Sequence, residues 1–154
     1  DGFGWRLSIA DIAESGGFST FAGYQRVITV LQGDGMTLCV DGDDTRPLLP
    51  LDPFAFSGES QVSCTLLGGA IRDFNLIYAP QRYQARLQWL DGEQRFFSSA
   101  STVLVFSVSE LLQVQVADNT AQLGRHDCLQ LDGNTGLVEV AINAACCVIE
   151  LTAR

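Results

Sequence analysis

The stretch Trp5-Arg6-Leu7-Ser8-Ile9-Ala10 carries the pattern on which the fold class depends, because its side chains alternate strictly in character. Positions 5, 7 and 9 are apolar, whereas positions 6, 8 and 10 are polar or small. Successive side chains of a β-strand point to opposite faces, so this alternation predicts a strand whose two faces lie in different surroundings.

Similar runs recur along the whole chain and are separated by turn signals such as Gln32-Gly33-Asp34-Gly35. Many short strands with regular turns predict an all-β fold, either a sandwich or a barrel. The best helix candidate is short and covers residues 9–14, where the chain could turn helical after the first strand. The predicted strands cover residues 5–10, 26–31, 36–40, 62–67, 72–78, 83–90, 102–108, 111–117, 128–131, 137–142 and 146–152.

An internal repeat appears when the sequence is aligned with itself so that residue 52 matches residue 127. Asp-x-Phe-x-Phe-x-Gly at residues 52–58 then falls on Asp-x-Leu-x-Leu-x-Gly at residues 127–133, and no gap is needed. The same shift superposes residues 28–30 on residues 103–105. Two residues that this shift superposes are called repeat equivalents below. We therefore predict two small β-barrel or jelly-roll lobes, residues 1–78 and 79–154, which together form one compact unit.

The charge of the chain excludes several classes of partner. Its net charge is −9, whereas nucleic acids and anionic membrane surfaces attract basic faces. All nine basic residues are arginines, which excludes a Schiff-base lysine and a phosphate loop that ends in lysine. The N-terminal residues carry no signal-peptide pattern, so we expect a soluble cytoplasmic protein. Because Asp1 stands where an initiator methionine would be, we also expect a preceding segment.

The cysteines and the histidine predict a protein without a metal or other cofactor. The five cysteines are odd in number and form no CxxC pair, so we expect buried, reduced thiols. A single imidazole, His126, cannot build a metal site that needs two or three histidines. We predict that His126 is an exposed turn residue. The cysteines are Cys39, Cys64, Cys128, Cys146 and Cys147.

Several stretches in the first half of the chain resemble the HutD/Ves family. They are Trp5-Arg6-Leu7-Ser8-Ile9-Ala10, Phe18-Ser19-Thr20-Phe21-Ala22-Gly23 with Arg26, Pro53-Phe54-Ala55-Phe56-Ser57-Gly58, Leu67-Gly68-Gly69 and Asp73-Phe74-Asn75. The resemblance implies a double-cupin (bicupin) fold, which agrees with the repeat. It also implies a small bacterial protein, often encoded beside histidine-utilisation enzymes, that acts as a ligand-binding or regulatory accessory. The family's usual Trp-Lys-Asn-Gly-Gly-Gly-x-Thr-Arg-Glu stretch has no match here.

Five residues are candidates for binding a ligand: Arg6, Ser8, Arg26, Asp73 and Asn75. The face of Arg6 and Ser8 is either a solvated outer face or a polar barrel interior. Asp73 and Asn75 share one face of an apolar strand, where buried polar groups need hydrogen-bond partners. They form either a structural pairing with an arginine or the wall of a pocket. Arg26 is either a surface charge at a strand end or an anchor for a carboxylate.

Three functions remain open from the sequence. The first is a binding module that holds a small acidic metabolite of histidine breakdown, with arginine receiving its carboxylate. The second is a metal-free isomerase or hydrolase with Asp73 as its general base, since burial can raise the pKa of a carboxyl group. The third is a structural module that docks another protein. Exposed edge strands would also allow a homodimer.

Overall fold

A computed structural model describes residues 2–154, and within that range the regular structure consists entirely of β-strands. The chain divides into two units, Asp1–Pro80 and Gln81–Arg154. The strands of the first unit are β1 (Trp5–Ile12), β2 (Gly16–Gly17), β3 (Gln25–Gln32), β4 (Met36–Val40), β5 (Asp43–Asp44), β6 (Phe54–Ser57), β7 (Val62–Leu66) and β8 (Ile71–Tyr78). Those of the second are β9 (Tyr83–Leu90), β10 (Gln94–Ser98), β11 (Thr102–Ser107), β12 (Leu112–Val116), β13 (Asn119–Leu123), β14 (Cys128–Leu131), β15 (Val138–Ile142) and β16 (Cys146–Ala153).

The two units have the same strand topology. The first contains antiparallel sheets in the order β1-β8-β3-β6 and β2-β7-β4-β5, and the second contains β9-β16-β11-β14 and β10-β15-β12-β13. The register repeats as well, because Asn75 pairs with Ile28 and Glu150 pairs with Val103. Both members of the second pair are the repeat equivalents of those of the first, so the structure confirms the internal repeat and the all-β class.

Each unit has its own apolar core between its two sheets. Ile28 and Val30 of β3 and Leu38 of β4 are fully buried in the first unit. Val103 and Val105 of β11 and Val114 of β12 occupy the second. The alternation read from the sequence produces these cores, because only every second side chain of a strand faces the opposite sheet.

The predicted helix over residues 9–14 is wrong. Residues 9–12 continue β1, whose pairing with β8 runs as far as Ile12 opposite Ile71. The backbone pairing along β8 therefore outweighs the weak local helical preference of this segment. The other predicted strands are present with boundaries that agree to within two residues, whereas the short strands β2, β5, β6, β10 and β13 were missed.

The cysteines and His126 differ in part from expectation. Cys64, Cys146 and Cys147 are buried as predicted, but Cys128 is exposed. His126 does lie in a turn, at a positive φ of 68°. Its ring is half-buried, because it stacks on Phe106 with 5.5 Å between ring centroids. Residues 2–154 contain no helix that is long and apolar enough to cross a membrane.

Candidate functional site

Three adjacent strands of the first unit direct polar side chains to the inner face of their sheet. Ser8 of β1 lies opposite Asn75 of β8, and Ala10 lies opposite Asp73. Arg6 of β1 and Arg26 of β3 both lie opposite Ile77, one on each side of β8. Because alternate residues of a strand share a face, this register brings the five candidate residues together.

These residues line a cavity of about 450 Å³ in the first unit. Arg6, Ser8, Arg26, Asp73 and Asn75 all contribute to its wall. The polar face of β1 is therefore the inner one, as in the barrel-interior alternative. The remaining wall is formed by Ala10, Asp11, Ile12, Ala13, Glu14, Gly16, Gly17, Phe18, Ser19, Phe21, Cys64 and Ile77.

Arg26 is buried, with only 7% of its surface exposed, and so it is not the surface charge of the simpler alternative. Its Nη1 donates to the carbonyl oxygen of Ser19 at 3.1 Å, and its Nη2 donates to Asn75 Oδ1 at 3.1 Å. Its Nε has no hydrogen-bond partner within the described residues. Buried donors in folded proteins nearly always have a partner, so this Nε–H group is available to a bound molecule.

The Arg26 guanidinium also contacts three aromatic rings. Its central carbon lies 5.7 Å from the ring centroid of Phe18, 5.3 Å from that of Phe21 and 5.1 Å from that of Phe56. Such cation–π contacts partly replace lost hydration and hold the planar group in one orientation. Burial lowers the pKa of Arg26, nearby Asp73 raises it and Arg6 lowers it. The side chain nevertheless stays charged at neutral pH.

Asp73 is almost completely buried, with 1% of its surface exposed. Burial raises the pKa of this carboxyl group to about 6, against the opposing effects of a hydrogen bond from Asn75, the charge of Arg26 and a backbone hydrogen bond from Ala10. Asn75 Nδ2 donates to Asp73 Oδ1 at 3.0 Å, and Asn75 Oδ1 accepts from Arg26. One amide therefore links the carboxyl group to the guanidinium.

Arg6 completes the site from β1, where it is exposed. Its guanidinium lies over the rings of Phe3 and Phe21, at 4.9 and 5.2 Å from their centroids. Phe21 therefore contacts both arginines of the cavity. The two guanidinium groups form a positively charged region in a chain of net charge −9.

A loop over residues 18–24 places these aromatic rings. Phe21 donates its backbone N–H to Gly58 O at 2.6 Å, and Gly58 donates its N–H to Tyr24 O at 2.8 Å. A Cβ atom at Gly58 would clash with Phe21 O, at a separation closer than any real contact. The close approach of this loop to β6 therefore requires glycine at position 58.

Sequence reasoning missed the aromatic contribution to the site. Phe18 and Phe21 belong to the stretch that carried the family resemblance, but nothing local shows that their rings cover arginines. Phe3 received no role, yet it stacks on Tyr24 with 4.6 Å between centroids and contacts Arg6. The combination of arginine with aromatic residues in one short segment is the signal that was available.

The equivalent positions of the second unit are occupied differently. Val148 is the repeat equivalent of Asp73 and is fully buried in the core of that unit. Glu150 is the repeat equivalent of Asn75, accepts a hydrogen bond from Ser98 at 2.5 Å and lies 3.8 Å from Arg86 Nε. An apolar side chain therefore replaces the buried carboxyl group of the first unit.

The second unit has a depression of about 530 Å³, but it lies on an outer sheet face. Exposed Arg95, Gln113 and Gln115 contribute to its wall. We place the candidate site in the smaller cavity of the first unit, because a buried charge and an unpaired donor occur there. Within residues 2–154, no group of three histidine, cysteine, aspartate or glutamate side chains is arranged to hold a metal ion.

Comparison with known proteins identifies the family of this chain. The family model HutD matches residues 1–148. The chain belongs to the HutD family. A Pseudomonas putida protein described as an uncharacterized 21.2 kDa protein in the hutC 3′ region is 69% identical over 100% of this chain and 82% of its own length. Protein Ves of Escherichia fergusonii is 37% identical over 73% of this chain and 59% of its own length.

Solved structures confirm the fold of this HutD family member. HutD from Pseudomonas fluorescens SBW25 has a TM-score of 0.91 and 68% identity, covering 99% of this chain and 81% of that protein. A salicylate 1,2-dioxygenase from Pseudoaminobacter salicylatoxidans has a TM-score of 0.64 at 7% identity, covering 96% of this chain and 67% of the dioxygenase. That distant likeness concerns the cupin-like fold alone. Membership of the family supports an association with histidine utilisation.

Proposed function

We propose that this protein binds a small, carboxylate-bearing metabolite of histidine degradation and acts as an accessory or regulatory protein of that pathway. The observation that supports this most directly is Arg26, a buried cation whose Nε lacks a partner among the described residues and which lines a cavity beside Arg6. Arginine binds carboxylates through charge-assisted, often two-point hydrogen bonds. Family membership supports the choice of pathway.

The cavity also suits the neutral polar parts of such a ligand. Ser8 and Asn75 line it with a hydroxyl and an amide, which can donate or accept hydrogen bonds. Phe18 and Phe21 offer apolar surface beside the arginines. A volume of about 450 Å³ falls within the range of small-molecule sites.

A thermal-shift screen tests this function. The panel holds histidine, urocanate, formiminoglutamate, formylglutamate and glutamate, because ligands that bind the folded state raise the unfolding midpoint with concentration. We expect a shift with an acidic member and its loss in Arg6→Ala. Arg82→Ala is the matched control, because Arg82 is also exposed over an aromatic ring, at 5.8 Å from Tyr83, but lies in the second unit. Equal shifts in both variants would contradict the assignment of the site.

The pKa of Asp73 favours a second function, that of a metal-free enzyme with Asp73 as general base. A carboxyl group with a pKa of about 6 is half-ionised at about pH 6 and mostly ionised at neutral pH, so it can accept a proton as a general base and return it. The same five compounds incubated with the protein would be followed by mass spectrometry and by ¹H exchange with deuterated water. Unchanged compounds with no solvent exchange would exclude the enzyme and leave the binding function in place.

A further inference from the structure

The charged groups of the cavity come from three neighbouring strands. Arg6 projects from β1, Arg26 from β3 and Asp73 from β8 between them. The two arginines attract an anion. Asp73 in its ionised form repels that anion, because it carries a charge of the same sign and is itself almost completely buried.

We propose that the cavity binds its anion together with a proton, and that the Asp73 carboxylate is the group that takes up this proton. The inference rests on the proposed binding function and adds a regulatory property to it, since the affinity for the ligand then depends on pH.

The hydrogen bonds around Asp73 can accommodate both of its protonation states. Asn75 Nδ2 donates to Asp73 Oδ1, and this bond persists when the proton resides on Oδ2. Asn75 Oδ1 continues to accept from Arg26. Neutralisation of Asp73 therefore leaves the guanidinium in place and removes the negative charge that competes with the ligand. The proton comes from the solvent, and no other bond forms or breaks.

The burial of Asp73 makes this proton uptake accessible near neutral pH. Its pKa stands at about 6 because burial disfavours the charged form. A bound anion in the same cavity adds a second negative charge and raises the affinity of Asp73 for a proton further. At pH values between the pKa of Asp73 in the free site and its higher pKa in the occupied site, ligand binding is therefore accompanied by uptake of a proton.

Asp11, which also lies on the cavity wall, does not itself take up the proton, although its charge adds to the raised pKa of Asp73. Asp11 of β1 is exposed, and its hydrogen bond with Arg72 at 2.7 Å holds its pKa below the ordinary range. It therefore stays ionised from mildly acidic to mildly basic pH. Among residues 2–154, the charged or titratable groups on the cavity wall come from β1, the turn after it, β3, β7 and β8, and they are Arg6, Asp11, Glu14, Arg26, Cys64 and Asp73.

Isothermal titration calorimetry tests the proposal with two probes, N-formylglutamate and formate, between about pH 5.5 and about pH 8.5. The carboxylates of both probes stay ionised throughout that range. We expect binding that is roughly tenfold weaker at the basic end, as one added like charge in the cavity implies. Titrations near neutral pH in buffers of different ionisation enthalpy should report the uptake of up to one proton for each bound anion.

Two variants test whether Asp73 is the group that takes up the proton. Asp73→Asn keeps the shape of the side chain without a titratable group, so it should bind at every pH about as tightly as the unmodified protein does at the acidic end. Asp11→Asn is the control, because Asp11 also lines the cavity but is exposed, and it should retain the pH dependence. Circular dichroism of both variants checks that they are folded.

The possible results separate this inference from the proposed function. Binding by the unmodified protein that does not change with pH would overturn proton uptake and leave the binding function intact. A folded Asp73→Asn variant without affinity would overturn it too, because an ionised Asp73 would then be a required contact. Absence of binding by either probe at every pH would contradict the inference together with carboxylate recognition itself.

Discussion

Arg26 is a charged side chain among three phenylalanine rings, and its position there has an energetic cost. Removing a guanidinium from water is unfavourable unless its donors are paired. Ser19 and Asn75 accept from two of its nitrogens, while Nε remains without a partner in the described part of the chain. A bound carboxylate or a water molecule would give Nε a hydrogen-bond acceptor. The unpaired Nε therefore supports the proposed role of Arg26 in binding a carboxylate.

Replacement of Arg26 by lysine tests this explanation. Lysine keeps the charge but cannot bond Ser19 and Asn75 in the same plane, so we expect carboxylate affinity to fall by about tenfold or more. Titration calorimetry with the ligand identified in the thermal screen measures the change. Arg46→Lys is the matched control, because Arg46 also lies over an aromatic ring, 5.9 Å from Phe54, yet lies outside the cavity. Equal losses in the two variants would contradict a specific role for Arg26.

The ionisation of Asp73 should make stability depend on pH. Its pKa in the folded protein, about 6, lies above the value of 3.8 for a free aspartate. The unfolded state therefore releases its proton first, and the free energy of unfolding decreases as the pH rises from about 4 to about 6. The expected decrease is about 2–3 kcal/mol.

Asp73→Asn should abolish this decrease and raise stability at pH 7, as measured by urea unfolding at several pH values. Asp11→Asn should leave the decrease in place, because the pKa of Asp11 is lowered by Arg72 and its effect has the opposite sign. A stability profile of Asp73→Asn that follows that of the unmodified protein would show that another group titrates.

At the level of the elements, the segment over residues 18–24 depends on its contact with β6 and β7. Phe18 N bonds to Val62 O at 2.8 Å, and Phe21 N bonds to Gly58 O. These backbone bonds place Phe21 over Arg6 and Arg26. The loop thus links the strand pairing of the first unit to the orientation of both cavity arginines.

Gly58→Ala should displace this loop. The added Cβ would clash with Phe21 O and would lie 2.8 Å from Tyr24 O, and both are backbone atoms that cannot rotate away. We expect a loss of about 1–3 kcal/mol in stability and a weaker affinity for the ligand. Gly136→Ala is the control, because nothing lies within 4 Å of its added Cβ, and it should change neither quantity. Differential scanning fluorimetry with and without ligand measures both effects.

At the level of the whole molecule, one strand topology serves two units with different interiors. The first unit places Asp73 and Asn75 on the inner face of β8, whereas the second places Val148 and Glu150 at the equivalent positions of β16. Val148 packs in the apolar core of the second unit, whereas Asp73 borders the cavity of the first. The repeat therefore preserves the fold and changes the chemistry of its interior.

A matched pair of core substitutions tests whether binding depends on the first unit. Val30 and Val105 are repeat equivalents, both are fully buried, and Val30 pairs with Asp73 across the sheet. Replacing either by alanine should cost about 1–3 kcal/mol of stability. Only Val30→Ala should weaken ligand binding as well, as measured by calorimetry well below the melting temperature. A similar loss of affinity in Val105→Ala would contradict the placement of the site.

The sequence by itself determined the all-β class, the repeat and two same-face pairs among the five candidate residues. Alternation determines which side chains share a face, so Arg6 with Ser8 and Asp73 with Asn75 could be paired without a structure. Local preference was a poor guide at residues 9–14, where pairing with β8 extends the strand.

Only the tertiary structure decided which face of β1 is the inner one, because alternation alone does not distinguish a barrel interior from solvent. It also decided that Arg26 is buried among Phe18, Phe21 and Phe56, which come from separate segments of the sequence. The raised pKa of Asp73 has the same origin, since the loss of water around a carboxyl group depends on every strand that surrounds it.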